Sequence, residues 1–177
     1  MKMKKKSVNY LVEAGLIAAI YAAATYASAA MGLAYSGVQF RISEALTVLA
    51  AFTPAAVPGL TVGCFLGNLT SPYGMVDVIC GTAATFVAAC LSRMLRKITV
   101  KGIPVLSAIP PVIANAVIVG FEVALFLPEG FSWMGFGVSA LSVGLGEAAV
   151  CLILGIPLMM VLKKANVQKV LFKNSNI

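Results

Sequence analysis

Histidine is absent from this sequence of 177 residues, and only six residues are acidic. The missing histidine removes the commonest general base, the serine–histidine and cysteine–histidine hydrolases, and HExxH zinc sites. No GxxxxGK[ST] loop occurs, so the chain has no P-loop with which to hydrolyse ATP. No CxxC pair occurs either. Cys64, Cys80, Cys90 and Cys151 each lie within an apolar run and read as small apolar fillers rather than redox or metal groups. Charge is scarce: 11% of residues carry one, about half the share usual in a soluble domain. With no nucleophile–base pair in view, the chain is not expected to be an enzyme.

What is abundant is apolar surface. The chain is 60% hydrophobic, with a mean hydropathy of +0.99. Folded in water, it would expose larger apolar patches than soluble monomers tolerate. It is therefore expected to be an all-α, polytopic integral membrane protein, with residues 1–177 forming one compact domain. The formal net charge is +7. Its basic residues fall into three clusters, which read as topology signals rather than a nucleic-acid surface.

Taken in order, Tyr10 to Met31 is apolar except for Glu13. Ala27-Ser28-Ala29-Ala30 imitates a signal-peptidase site, but the apolar core of roughly 20 residues exceeds a usual signal-peptide core and suits a spanning helix. Ala14, Ala18 and Ala22, with Ala19, Ala23 and Ala27 alongside, make a groove of small residues, suited to packing inside the protein or to docking another membrane subunit. A loop over residues 32–41 follows. Ile42–Phe52 and Leu60–Leu69 are short apolar runs separated by a turn with two prolines, Pro54 and Pro58. They form either one broken helix or a hairpin of two short helices.

Charge decides between these. With a hairpin, the clusters Lys2–Lys6, Arg93–Lys101 and Lys163–Lys173 all fall on one side, 12 of the 13 basic residues, and only Arg41 lies opposite. A single helix would put the middle cluster outside, against the positive-inside rule. Three more helices follow, over Met75–Leu95, from Val105 or Ala108 to Leu127, and over Phe136–Leu162. The expectation is six transmembrane helices with both termini cytoplasmic.

In that topology Glu13 lies near the cytoplasmic face, and Glu44, Asp77, Glu122, Glu129 and Glu147 lie in the outer half or outer loops. An ionised group in mid-membrane costs at least about 2.5 kcal/mol, so such residues tend to face a cavity and serve function. Asn115 and Glu122 are seven residues apart, nearly eclipsed, and make a polar stripe about 10 Å long. Glu147 is some ten residues into the last helix, about 15 Å down, beside Gly144 and Gly146. Asn68 ends one helix near Asp77 at the start of the next. Arg41 and Glu44 form either an ion pair that fixes the loop or part of a pocket. Asp77 is either a helix cap or a pocket residue. Glu129 reads as a solvated loop charge. Trp133 is either an interfacial anchor or a stacking wall. No basic residue on their own helices neutralises Glu122 or Glu147. Two formal matches carry nothing: Gly144–Ala149 fits GxGxxA with no strand before it, and Asn68-Leu69-Thr70 fits a glycosylation sequon by chance. The residues alone thus describe an acidic, hydrogen-bonding pocket open to the outside. It would suit a cation or a ring with an amidine-like edge that a carboxylate grips in bidentate fashion.

Several segments together resemble the QueT family, the substrate-binding S components of energy-coupling factor transporters. They are Val38–Thr47, Phe52–Gly59, Asn68–Asp77, Pro110–Ala116 and Val143–Glu147, within a resemblance over roughly residues 8–165. The resemblance implies uptake of a queuosine precursor, a 7-deazaguanine such as the 7-aminomethyl form, across a bacterial plasma membrane. It implies a transmembrane coupling subunit and two ATPase subunits as partners, with ATP bound by those and no cofactor or metal on this chain. It also implies that Ala14, Ala18 and Ala22 contact the coupling subunit. It assigns no individual ligand residue. From the pocket argument, Gln39, Arg41 and Glu44 are expected to gate or line the site. Asn68, Asp77, Asn115 and Trp133 contribute to its walls, and Glu122 and Glu147 grip the ligand. An S component for another small planar vitamin, and a stand-alone proton-coupled carrier using Glu122 and Glu147, remain as alternatives.

Overall fold

The structure, a computed structural model, describes residues 2–34 and 39–164, residues 2–7 by their backbone alone. Ser36, Gly37 and Val38 of the first connection, and the basic tail with Lys169 and Lys173, lie outside the described residues. Among the described residues no strand forms. The elements are α1 (Lys2–Ala30), a ten-residue 3₁₀ helix (Ile42–Ala51, hereafter the 3₁₀ helix), α2 (Ala56–Asn68), α3 (Met75–Met94), α4 (Ile109–Leu125), α5 (Trp133–Val150) and α6 (Ile156–Lys164), the last two joined by a π-helical turn (Cys151–Gly155), with single 3₁₀ turns at Leu95–Lys97 and Val105–Ala108. Four stretches are long and apolar enough to cross a membrane: Val8–Ala30, Met75–Lys97, Val105–Leu125 and Trp133–Lys164. The 3₁₀ helix and α2 are shorter apolar helices.

Those two short helices form the hairpin, and hydrogen bonds fix its direction. The backbone N–H of Ile42 meets the Ser28 hydroxyl near the end of α1, while the Tyr10 hydroxyl donates to the carbonyl of Pro54, past the other end of the hairpin's first arm. The 3₁₀ helix therefore runs back along α1. Its rise of about 2.0 Å per residue lets ten residues cover roughly 20 Å, where an α-helix would cover about 15 Å. The turn is tighter than the proline count suggests. It spans Phe52 to Ala55, and Pro58 falls in the first turn of α2, where its missing N–H has no intrahelical partner to lose.

α2 then runs parallel to α1. A Cβ built on Gly59 would stand 2.7 Å from the Ala14 carbonyl, and one on Gly63 would stand 2.8 Å from both the Ala18 carbonyl and the Tyr21 Cβ. In a lipid-solvated protein helices gain little from mutual burial of apolar surface, so this close backbone packing supplies the attraction. Ala14, Ala18 and Ala22 are all buried, the first two against α2. Within this chain the glycine stripe of α2 packs on Ala14 and Ala18. Among the small residues left open on α1, Gly15, Ala19, Ala23 and Ala27 recur every fourth position. Gly63→Leu is expected to lower the stability of the detergent-solubilised protein by about 1–3 kcal/mol through overpacking. An unchanged thermal unfolding midpoint would contradict this packing.

The remaining helices alternate in direction. Ser92, near the end of α3, donates to the Ser107 carbonyl just before α4, and Arg93 reaches the Ala50 carbonyl at 3.2 Å. Lys163 in α6 donates to the Lys101 carbonyl. Tyr10, Pro54, Arg93, Lys101 and Lys163 thus share one end, the basic end. α4 and α5 cross closely, since a Cβ on Gly120 would lie 2.6 Å from the Ala140 Cα. Pro110 and Pro111 occupy the first turn of α4, as expected.

The last helix starts earlier than its apolar pattern suggests. Ser132 caps it, its hydroxyl accepting the Gly135 N–H at 2.9 Å, so it opens at Trp133 rather than Phe136. The π turn has a visible cause in Pro157, which offers no N–H to the preceding turn and clashes with a regular α path. The widened turn takes up the 3₁₀ helix: Gly155 lies so close to it that an added Cβ would be 3.1 Å from Val48.

Candidate functional site

The 3₁₀ geometry builds one wall. With three residues per turn, positions 41, 44 and 47 lie along one edge, whereas an α-helix would fan them apart. That edge carries Arg41, Glu44 and Thr47, all buried. Arg41 does not pair chiefly with Glu44. Its guanidinium donates to the side-chain oxygen (Oδ1) of Asn68 at the end of α2 and forms an ion pair with Asp77, 3.9 Å away, in the first turn of α3. Asn68 in turn donates to the Asp77 backbone carbonyl at 3.0 Å. Asp77 is therefore no helix cap: Gly74 precedes α3 and the cap has no side-chain hydrogen bond. Gly81 makes room for this knot, because a Cβ there would collide with the Asn68 amide.

Glu44 accepts the hydroxyl of Tyr21, on α1. The Thr25 and Ser43 hydroxyls lie 2.8 Å apart. Tyr21, Thr25 and Ser28 thus fasten the first turn of the 3₁₀ helix, at Glu44, Ser43 and Ile42. In the sequence these three pass as members of an apolar run, as does Thr85, whose hydroxyl meets the Cys64 sulfur at 3.2 Å. A signal is nevertheless present: steps of four and three place 21, 25 and 28 on one face of a helix.

The opposite wall comes from α4 and α5. Asn115 and Glu122 are both buried on one face of α4, with Val119 between them. Glu147 is fourteen residues into the helix that opens at Trp133, about 21 Å along it and deeper than the sequence suggested. Asn115 lies beside both Glu44 and Glu147. Glu147 also faces the Cys151 thiol, 3.7 Å away on the next turn. Glu122 lies nearer the end away from the basic clusters, in the last turn of α4, within electrostatic reach of Asp77 and Arg41.

Four carboxylates, Glu44, Asp77, Glu122 and Glu147, therefore surround a single guanidinium, and each is at least nine-tenths buried. Several polar atoms at their centre have no hydrogen-bond partner among the described residues: Arg41 Nε, Glu44 Oε2, Asn115 Nδ2, and both carboxylate oxygens of Glu122. Buried polar atoms are rarely left unmatched, and unmatched buried charge costs several kcal/mol. Such a concentration of free donors and acceptors is what a site for a polar, cationic ligand requires.

Two expected contributors stand differently. Gln39 is buried just before the 3₁₀ helix. Trp133 is 77% exposed and makes edge contacts with Phe131 and Phe136, at centroid distances of 5.4 and 6.3 Å, so it is not brought among the polar groups. Besides Tyr21, which bonds Glu44 directly, Tyr73 in the turn before α3 stands within electrostatic reach of Asp77 and Glu122, its ring packed on Phe126 at 5.2 Å. Burial first, then the carboxylates of Asp77 and Glu122, push its phenol above the usual range. An open depression of about 420 Å³ lies apart from the polar core, lined by Leu127, Glu129, Ser132, Met134, Gly135, Val138 and Ser139.

Comparison with known proteins bears on what this site serves. The model of the QueT transporter family matches residues 11–164. A curated relative from Lactococcus lactis subsp. cremoris, named a queuosine precursor transporter, is 33% identical over 93 residues, 52% of this chain and 54% of that protein. The chain thus spans about half the length of the curated relative it matches. No solved structure matches. With a family match over most of its length and apolar helices fit to span a bilayer, this multi-pass membrane protein belongs to the QueT transporter family.

Proposed function

We propose that this chain is the substrate-capturing S component of an energy-coupling factor transporter, binding a queuosine precursor on the outside of a bacterial plasma membrane. The ligand is a 7-deazaguanine such as the 7-aminomethyl form. The observation that carries this is the set of unmatched polar atoms in the buried core of a QueT-family chain. A guanine-type ring offers N–H donors and a carbonyl acceptor along one edge, and an aminomethyl group adds a cation. Asn115 Nδ2, Arg41 Nε and the carboxylates of Glu44, Glu122 and Glu147 supply the complementary set. Arg41, Asn68 and Asp77 hold the walls together.

In this account the basic end faces the cytoplasm, in keeping with the positive-inside rule. The chain then crosses six times, with the 3₁₀ helix and α2 as short crossings and both termini inside. A coupling subunit and two ATPase subunits supply the ATP-binding machinery that this chain lacks. The face of α1 offered to the coupling subunit is the open stripe of Gly15, Ala19, Ala23 and Ala27, since Ala14 and Ala18 pack on the glycines of α2 and Ala22 is buried. Ala19→Leu with Ala23→Leu is accordingly expected to leave ligand affinity within about threefold while preventing co-purification with the coupling subunit. Normal co-purification would count against that face.

Reconstitution tests the transport class. Uptake of the deazaguanine into proteoliposomes should require added coupling and ATPase subunits together with ATP. Uptake by this chain alone, driven by a pH gradient, would identify a proton-coupled carrier instead. Tight binding of riboflavin or guanine, with none of the deazaguanine, would move the assignment to another S component.

A further inference from the structure

Resting on the ligand class proposed above, we infer that the polar core is split into two chemically distinct poles, with Glu122 seating the ligand's ammonium group and Asn115, Glu44 and Glu147 seating the edge of its planar ring.

The two poles are separated along α4. Seven residues, about 10 Å, lie between Asn115 and Glu122. The pole around Asn115 combines opposite kinds of group: Nδ2, which stands beside Glu44 and Glu147 without a hydrogen bond of full geometry to either, is a donor, Glu44 Oε2 is an acceptor, and Glu147 lies alongside. A ring edge carrying both a carbonyl and N–H groups needs that mixture. The pole at Glu122 offers only acceptors, two buried carboxylate oxygens without a partner among the described residues. A primary ammonium has three donors and no acceptor, so it matches Glu122 and would leave the Asn115 amide unsatisfied.

Neighbouring groups point the same way. Asp77 is the other carboxylate near Glu122, but it is already engaged with Arg41 and Asn68. Arg41 spends its two terminal nitrogens on Asn68 and Asp77. Its remaining Nε is a donor, fit for a ring carbonyl and not for an ammonium. Among the described residues no cation is ion-paired with the buried Glu122 carboxylate, and an arriving ammonium relieves the cost of its burial. The ligand would lie with its amine toward the end away from the basic clusters and its ring edge deeper. Discrimination between an amine and a neutral substituent on the same ring then falls on Glu122 alone.

The test is a binding titration of the purified full chain with two ligands that share a ring: 7-aminomethyl-7-deazaguanine and its neutral 7-cyano counterpart. The wild type should prefer the amine. Glu122→Gln should lose about 10–100-fold in affinity for the amine, the size of a charge-assisted contact, and change by less than about threefold for the nitrile. Retained nitrile binding also reports that the variant is folded. Glu122→Asp, which keeps the charge, should keep the preference for the amine. Glu147→Gln should weaken both ligands alike. The assignment is overturned if Glu122→Gln weakens both ligands equally, if it leaves the preference intact, if Glu147→Gln is the variant that erases it, or if the wild type prefers the nitrile. A folded wild type that binds neither ring overturns the ligand class itself, a separate failure from misplacing the amine.

Discussion

Arg41→Ala is expected to destabilise the protein by about 3–5 kcal/mol, more than any other substitution proposed for this chain. Arg41 is 6% exposed, and the groups it serves are buried as deeply: Asp77 at 2% and Asn68 at 0%. Removing the guanidinium leaves the buried Asp77 carboxylate without its partner and strips the donor from the side-chain oxygen of Asn68. It also removes the one cation among four buried carboxylates. The loss falls on the junction of the 3₁₀ helix, α2 and α3, so the hairpin should loosen first. Thermal unfolding in detergent micelles measures the effect. Replacing both charges by apolar residues, Arg41→Met with Asp77→Leu, should recover much of the lost stability, because a buried pair exchanged as a unit leaves no orphaned charge. A single Arg41→Ala variant as stable as the wild type would mean that the ion pair does not organise the site.

Glu147→Gln should have the opposite profile. It is expected to weaken deazaguanine binding by about 10–100-fold, the equivalent of one hydrogen bond to a charged group, with stability unchanged or slightly raised. Its neighbours explain the contrast. Glu147 is 4% exposed, and its close polar contacts are the Asn115 amide and the weak thiol contact at Cys151. Among the described residues it makes no ion pair, although Arg41 acts on it electrostatically, so neutralising it breaks no ion pair and removes a buried charge. Equilibrium titration and an unfolding curve on the same preparation separate the two quantities. Unchanged affinity would remove Glu147 from the site. A collapsed unfolding midpoint would make it a structural residue.

Much of this arrangement was legible in the residues. The charge clusters selected the hairpin over a single broken helix, because each alternative places Arg93–Lys101 at a definite end. The seven-residue spacing of Asn115 and Glu122 put them on one face, and both are buried there. Other features were hidden for physical reasons. Residues 42–51 have an apolar pattern that suits either helix type, and only packing against α1, α3 and the π turn holds ten residues in a 3₁₀ path. That path is what aligns Arg41, Glu44 and Thr47. The partner of Arg41 was obscured in the same way: sequence distance favours Glu44, three residues away, while the fold delivers Asp77 from the far side of α2. Tyr21 was concealed by its ring, which counts as apolar in a hydropathy pattern although its hydroxyl meets Glu44. The alanine stripe was ambiguous because small residues serve internal and external packing equally well. Burial distinguished Ala14, Ala18 and Ala22 from Gly15, Ala19, Ala23 and Ala27.

The most direct test of the buried polar core as the capture site is the structure of the protein bound to 7-aminomethyl-7-deazaguanine. The account predicts ligand density between the 3₁₀ helix, α4 and α5, with the ring within hydrogen-bonding distance of Asn115 and Glu147 and the walls still joined through Arg41 and Asp77. Density in the depression lined by Leu127, Ser132 and Ser139, with the polar core empty, would contradict it.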